Sequence, residues 1–312
     1  MRIAVIGAGG IAQKAYLPLL AVMPDVKIAG IFSRTQARVE EICQRWNISK
    51  GTTDLSDILA LGPQAALVIS STDSHYGICR EMLENGVDVY AEKSLTTSSA
   101  QSYDLARIAL EKKRILAVGY NRRYALLYMK AKEIMGNRKV ELAVIQKHRT
   151  EASNPTLFDQ YLDDTIHQID LMRFYCGDVE PSTTAYEKKN GVITSAVSTV
   201  DIPNGGQGVI TICNEAGSWQ ESVTLHAGGL SVHVDAFRRL RVMVDDHEEV
   251  YGTDRAGKWI TGMKERGFYG ELAHFFECVQ TRQEPLTNAV EAAKTQVLME
   301  GLVRASGDEI NP

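Results

Sequence analysis

From residue 2 to about residue 120, short apolar runs alternate with amphipathic stretches. Runs at 3–6, 27–32, 65–69, 87–90 and 115–118 are too short for helices and almost free of polar breaks, which predicts strands buried on both faces. Between them, residues 11–22, 35–46, 74–85 and 98–113 space their apolar positions three and four apart, predicting helices, and Asn85-Gly86 closes one of these with a pair suited to positive φ. This β-α-β rhythm belongs to a parallel sheet covered by helices.

After Tyr120 the texture changes. A helix is predicted near 124–135, a strand near 140–147 and a further helix at about 163–176. Alternating runs follow at 192–200, 208–213, 222–225 and 240–244 with no helical pattern between them. Consecutive strands of this kind predict a mainly antiparallel, open sheet. Helical patterns at 270–281 and 288–303 close the chain. The expected fold is therefore α/β at 1–120, followed by an α+β domain at 121–312. The last helices are expected to pack back toward the first domain.

Composition narrows the function without changing this outline. The 312 residues carry 34 basic and 39 acidic side chains, a net charge of −5, so no sequence-wide positive field favours a phosphate backbone. The densest basic stretches, Lys112-Lys113-Arg114 and Arg138-Lys139, lie beside Glu111 and Glu141 and read as solvated helix ends. Nucleic acid is excluded as a partner on this reading. So is a membrane, because no run reaches the ~20 apolar residues a spanning helix needs. The five cysteines are scattered, without a C-x-x-C pair, which points to a reducing, cytoplasmic setting and to no metal.

The chemistry begins at Gly7-Ala8-Gly9-Gly10-Ile11-Ala12, which follows the first strand and opens the first helix. This is the G-x-G-x-x-G/A pattern in its required context. Gly7 suits a tight turn, Gly9 and Gly10 admit a pyrophosphate close to the backbone, and Ala12 takes the third small position. A Rossmann domain binding a dinucleotide is expected, with Ile11 at the helix start. The second strand ends in Phe32-Ser33-Arg34-Thr35, with no carboxylate for a ribose hydroxyl. Ser33 and Arg34, with Arg38 one helical turn on, favour NADP over NAD, the latter remaining the alternative.

Three further segments carry a resemblance. Ala91-Glu92-Lys93-Ser94 follows the strand at 87–90, Gly119-Tyr120-Asn121-Arg122-Arg123 follows the strand at 115–118, and Asp163-Asp164-Thr165-Ile166-His167 opens a later helix. Together they resemble the Gfo/Idh/MocA oxidoreductases, in which a strand end carries E-K-P and a helix of the second domain carries D-x-x-x-H. Segments such as Lys147-His148-Arg149 and Glu265-Arg266-Gly267-Phe268 resemble the MviM branch of that family. The resemblance implies Lys93, Asp163 and His167 as catalytic residues. It further implies cofactor contacts from Glu92, Lys93, Asn121, Arg122 and the segment containing Ser71, Thr72 and His75.

The residue types suit that assignment. Oxidising a carbinol requires a base for the hydroxyl proton, and histidine titrates near neutral pH; a positioned base contributes about 10²–10⁴-fold. Asp163 lies four residues before His167, on the same helical face, although Asp164 and Asp170 are also within reach as partners of His167. Lys93, at the carboxyl end of a parallel strand, can stabilise a substrate oxygen. Two departures stand out: Ser94 replaces the proline of E-K-P, and Phe158-Asp159-Gln160-Tyr161 with Thr165 fills positions where the family often carries glycine, which alters the substrate pocket. The expected function is hydride transfer between a nicotinamide cofactor and a sugar, a cyclitol or a related carbonyl compound, by a homodimer or homotetramer. A catalytically silent NAD(P)-binding sensor or scaffold is the alternative, and a reductase of a tetrapyrrole or imine would share the fold.

Overall fold

A computed structural model describes residues 1–203, 205–252 and 262–310. The chain forms two compact units, Met1–Tyr120 with Phe268–Ala293, and Asn121–Gly267 with Lys294–Pro312.

The first unit is built on β1 (Arg2–Ile6), β2 (Lys27–Phe32), β3 (Gly51–Thr52), β4 (Ala65–Val68), β5 (Asp88–Ala91) and β6 (Leu116–Val118), in the order β3-β2-β1-β4-β5-β6. Every pairing is parallel. β4, β5 and β6 are buried at each position, as are Ile3–Ile6 of β1, so both faces of the sheet are covered and the strands read as unbroken apolar runs. The chain runs outward from β1 in one direction to β2 and β3 and in the other to β4, β5 and β6. This places a topological switch point between the carboxyl ends of β1 and β4, where such sheets hold ligands.

The helices end for local reasons. Ser98 caps Ser99–Lys112 by accepting from the Gln101 N–H, and Asp54 caps Leu55–Ala60 through the Ser56 N–H. Asn47 and Lys113 leave their helices in the left-handed conformation. β3 and Leu55–Ala60 escape the sequence pattern because two and six residues are too few to show a period. The helix predicted at 11–22 also differs in detail: its turn Ala12–Tyr16 is π-helical, followed by Leu17–Leu20. Arg282, after the helix Phe268–Thr281, is paired at 2.7 Å with buried Asp88 of β5, tying the returning segment to the sheet.

The second unit carries an eight-stranded sheet of β7 (Leu142–His148), β8 (Glu180–Lys189), β9 (Val192–Ile202), β10 (Gly206–Cys213), β11 (Gln220–Ala227), β12 (Leu230–Asp235), β13 (Arg239–Val244) and β14 (His247–Gly252). Their order is β14-β13-β12-β11-β7-β10-β9-β8. All neighbours are antiparallel except β7 and β10. Burial alternates along the central strands: β7 turns Ala143, Ile145 and Lys147 inward, and β11 turns Glu221, Val223, Leu225 and Ala227 inward. Thus one face is packed and the other half-open.

The helix Ile166–Cys176 is buried at every position but Phe174 and Cys176, so its charged residues are paired inside. Arg123 grips Asp170 in a fork of 2.7 and 2.9 Å, and Thr295 donates to the same carboxylate. Gly267 has φ +87°, and a Cβ there would lie 2.0 Å from the Asn121 carbonyl oxygen, so only glycine closes this contact.

Candidate active site

At the switch point, Gly7 leaves β1 with φ +109°, and a Cβ on it would stand 2.7 Å from the carbonyl carbon and oxygen of Ile69. The missing side chain is what lets the ends of β1 and β4 meet. Gly9 and Gly10 are different: nothing of the protein lies within 4 Å of where their Cβ atoms would be. The space above them is open and faces the amino end of the first helix, where unpaired N–H groups favour an anion. Ala12 is fully buried beneath this turn, serving close packing rather than contact with a ligand.

A cleft of about 630 Å³ extends from Gly7, Gly9, Gly10 and Ile11 past Ser33, Arg34 and Arg38 to Ser70 and Ser71. Its size and glycine floor fit a dinucleotide. Among the described residues no Asp or Glu lines it. Arg38 is held already: its Nε donates to the Ala8 carbonyl at 3.1 Å and its guanidinium pairs with Glu41 at 2.5 Å. Arg34 stands at the tip of β2 with Ser33 and Thr35 along the cleft wall.

Of the other expected cofactor contacts, Ser71 lines this cleft, whereas Thr72, His75 and Glu92 do not. His75 is fully buried, its two ring nitrogens 2.9 and 3.1 Å from the carbonyl oxygens of Ser94 and Ser70, and burial holds its pKa below the usual value. It braces the two strand-end loops from beneath. Ser71 precedes the helix Thr72–Glu84 as its N-cap residue, and Thr72 begins that helix outside the cleft wall. Glu92 points into the core, accepting from the Tyr16 hydroxyl and, at 2.9 Å, from the Lys93 N–H. It thus anchors the backbone of Lys93 at the end of β5. The Lys93–Ser94 peptide is cis.

Asn121 and Arg122 lie in the second unit, in a 3-10 turn at Asn121–Tyr124. Asn121 donates to the Arg266 carbonyl at 2.8 Å. Arg122 donates two hydrogen bonds to the Glu221 carboxylate, at 2.9 and 3.2 Å, and stacks on Phe237. Their side chains are therefore bound within that unit.

Asp163 and His167 do not share a uniform helix. Asp163 sits in a π-helical turn, Tyr161–Thr165, and His167 in the first turn of Ile166–Cys176. Of the three carboxylates considered for His167, Asp170 is bound by Arg123, and Asp164 by Lys147 at 2.6 Å and by Arg149. Burial raises the Asp164 carboxyl, but the two cations outweigh it and hold its pKa at about 2. Asp163 instead joins the wall of a cavity of about 320 Å³, with Arg149, Asn154, Gln160 and Asn214. There the Gln160 carbonyl oxygen accepts from Asn154 at 3.1 Å and from Asn214 at 2.9 Å, so the carboxamides are fixed relative to one another. Among the described residues no group of His, Cys, Asp and Glu could hold a metal ion.

These features can be set beside known proteins. Residues 1–120 match the oxidoreductase family with an NAD-binding Rossmann fold, Gfo/Idh/MocA. Over 307 residues the chain is 32% identical to a Salmonella typhimurium protein named as the oxidoreductase YceM, covering 97% of both. The chain belongs to the Gfo/Idh/MocA family. This Gfo/Idh/MocA protein is also 22% identical to the scyllo-inositol 2-dehydrogenase (NAD(+)) of Bacillus subtilis, over 94% of this chain and 90% of that one. The solved dehydrogenase MviM of Clostridium difficile superposes with a TM-score of 0.88 at 26% identity, covering 98% of this chain and 99% of that one. It is accordingly an oxidoreductase with an NAD(P)-binding Rossmann unit.

In this Gfo/Idh/MocA chain, the residues missed by sequence reasoning are Asn154 and Asn214, which line the second cavity, and Lys147 and Glu221, which form buried ion pairs. A signal existed for two of them. Lys147 and Glu221 fall on the inward phase of alternating strands, where a charge is costly unless paired.

Proposed function

We propose that the protein is an NADP(H)-preferring dehydrogenase or reductase acting on a carbinol or carbonyl of a sugar, cyclitol or derivative. The observation that carries the cofactor choice is the cleft wall at the tip of β2, where Arg34 stands and no carboxylate does. A ribose 2′-phosphate would meet a guanidinium there instead of an acid. Gly9, Gly10 and the helix start would hold the pyrophosphate. The nicotinamide, when bound, supplies the hydride acceptor or donor.

The protein's own groups do the rest. The Lys93 Nζ donates a hydrogen bond to the substrate oxygen and stabilises the charge that develops on it. An imidazole nitrogen of His167 takes the hydroxyl proton in oxidation and returns it in reduction. Asp163 stabilises the imidazolium so formed. The carboxamides of Asn154, Gln160 and Asn214 give the second unit's cavity the hydrogen-bonding character that a polyol matches. The inositol specificity carried in the name of the Bacillus relative supports the same substrate class.

The half-open face of the second sheet, with Val144, Thr211, Thr224 and His233 half-buried, supports a homodimer or homotetramer, which sedimentation velocity measures directly. A cytoplasmic site fits the five free thiols. Among the described residues no helix is long and apolar enough to cross a membrane.

The test is a fluorescence titration with NADPH and NADH at fixed ionic strength, repeated on Arg34→Ala. Tighter NADPH binding that Arg34→Ala removes is expected. Equal affinity for both cofactors sinks the phosphate argument, and cofactor binding without turnover of any polyol or carbonyl compound favours a silent sensor.

A further inference from the structure

Lys147 occupies a core position. It follows Ala143 and Ile145 on the inward face of β7, is 2% exposed, and would be an ordinary site for an aliphatic side chain. Its Nζ makes two contacts to one residue: 2.8 Å to the main-chain oxygen of Asp164 and 2.6 Å to its carboxylate. Gripping carbonyl and side chain together fixes the peptide plane as well as the carboxylate. Asp164 lies in the π-helical turn Tyr161–Thr165, between Asp163 and the helix that begins with Ile166 and His167.

We infer that Lys147 is a positioning residue whose ammonium clamps the turn presenting Asp163 and leading into His167, and that it does so only while charged. The inference rests on the proposed function for its effect on turnover, whereas the clamp itself needs no substrate.

The charges around Lys147 explain why the clamp is releasable. Asp164 faces it from the turn, Arg149 from the end of β7, Arg122 from the 3-10 turn, and Glu221 from the neighbouring position on β11; the Tyr128 hydroxyl caps Glu221 at 2.7 Å. Lys147 and Arg122 are largely buried with the two carboxylates, whereas Arg149 is 43% exposed and shares its charge with solvent. Neither arginine can give up its proton at accessible pH, so Lys147 is the cation of the three that can. Burial depresses its pKa first, and Arg122 and Arg149 add to this against Asp164 and Glu221, leaving it at about 8. Loss of the proton turns two charge-assisted bonds into weak ones.

The sign is distinctive. Because the pKa in the fold lies below that of an exposed lysine, deprotonation does not weaken the fold as a whole; the group contributes more stability as pH rises through that interval. Only the turn is freed.

The experiment is hydrogen exchange read by mass spectrometry on peptides spanning residues 157–168, corrected for the intrinsic rate, from pH 7 to 9.5, beside a melting curve at each pH. Protection of the turn should fall about tenfold with a midpoint near pH 8, without a matching fall in Tm. Arg149→Met, removing a like charge, should move the midpoint up, and Asp164→Asn, removing the partner, should move it down by more. Lys147→Met should abolish the transition. Protection that stays flat over this range, or midpoints indifferent to Arg149→Met and Asp164→Asn, overturns the clamp. With myo-inositol and NADP+ as the probe reaction, kcat should decline with the same midpoint while cofactor affinity stays constant. Failure to turn over myo-inositol with the exchange transition intact counts against the polyol reading and leaves the clamp standing.

Discussion

The two units solve the problem of a ligand site by opposite means. The cleft of the first unit is made of backbone: Gly7, Gly9 and Gly10, a helix start and the tips of parallel strands, with arginine as its charged element. The second unit relies on side chains: Asn154, Gln160, Asp163 and Asn214 line its cavity, and ion pairs lock its framework, Lys147 and Arg149 on Asp164, and Arg122 on Glu221. A backbone site depends on which positions can lack a Cβ. A side-chain site depends on charges being neutralised in the core, so its weak points are substitutions that keep shape and change charge.

The largest effect should therefore come from Glu221→Gln, which preserves volume. Glu221 is fully buried and balances both Arg122 and Lys147, and the arginine holds its carboxyl below the ordinary range despite burial. Leaving those cations without it should cost about 3–5 kcal/mol of unfolding free energy in urea. A loss below about 1 kcal/mol would show that the second unit does not rest on its ion pairs.

Next comes Gly7→Ala. Positive φ and a Cβ 2.7 Å from the Ile69 backbone together should cost about 2–3 kcal/mol. Gly9→Ala, with open space at its Cβ, should leave stability within about 0.5–1 kcal/mol of the parent, the ordinary glycine-to-alanine range, while weakening cofactor binding. If both variants were equally destabilised, the distinction between a structural and a ligand-facing glycine would fail. Circular dichroism melts and NADPH titrations decide it.

The same contrast accounts for what was legible in advance. The first unit could be read because Gly7, Gly9 and Ala12 stand within six residues and each backbone constraint is local. The parallel strands were visible for the same reason, their burial on both faces writing continuous apolar runs. In the second unit the partners are far apart in sequence: Arg122 meets Glu221 across 99 positions and Lys147 meets Asp164 across 17. No spacing rule announces such pairs. The nicotinamide contact expected of Asn121 and Arg122 came from the family resemblance, whereas the pairing of Arg122 with Glu221 and of Asn121 with the Arg266 carbonyl had no sequence signal. The π-helical turn at Tyr161–Thr165 was likewise invisible, because a single extra residue does not disturb the apolar period enough to be seen.

Acid should separate the units by a smaller amount. Asp164 has a pKa of about 2 in the fold against 3.8 when exposed, so its contribution is fully present above about pH 4 and is lost as pH falls through 2. The interval corresponds to about 2 kcal/mol. Asp164→Asn should flatten that part of the stability curve, measured by urea titration between pH 5 and 2; an unchanged slope would mean that Lys147 and Arg149 do not neutralise this carboxylate in solution.

The smallest expected effect tests the first unit's reliance on backbone. Arg38 lines the cleft, but its Nε already supports the Ala8 carbonyl within the glycine loop. Arg38→Ala should relax that loop by the worth of one hydrogen bond, on the order of 1 kcal/mol, and weaken NADPH and NADH alike by up to about fivefold. Arg34→Ala should instead act on NADPH alone. The two arginines are four residues apart, line the same cleft and are equally basic, so a purely electrostatic cleft would make them interchangeable. Titrations in which Arg38→Ala discriminates between the cofactors as strongly as Arg34→Ala would assign the phosphate contact to both, and the loop would lose its support as a separate function of Arg38.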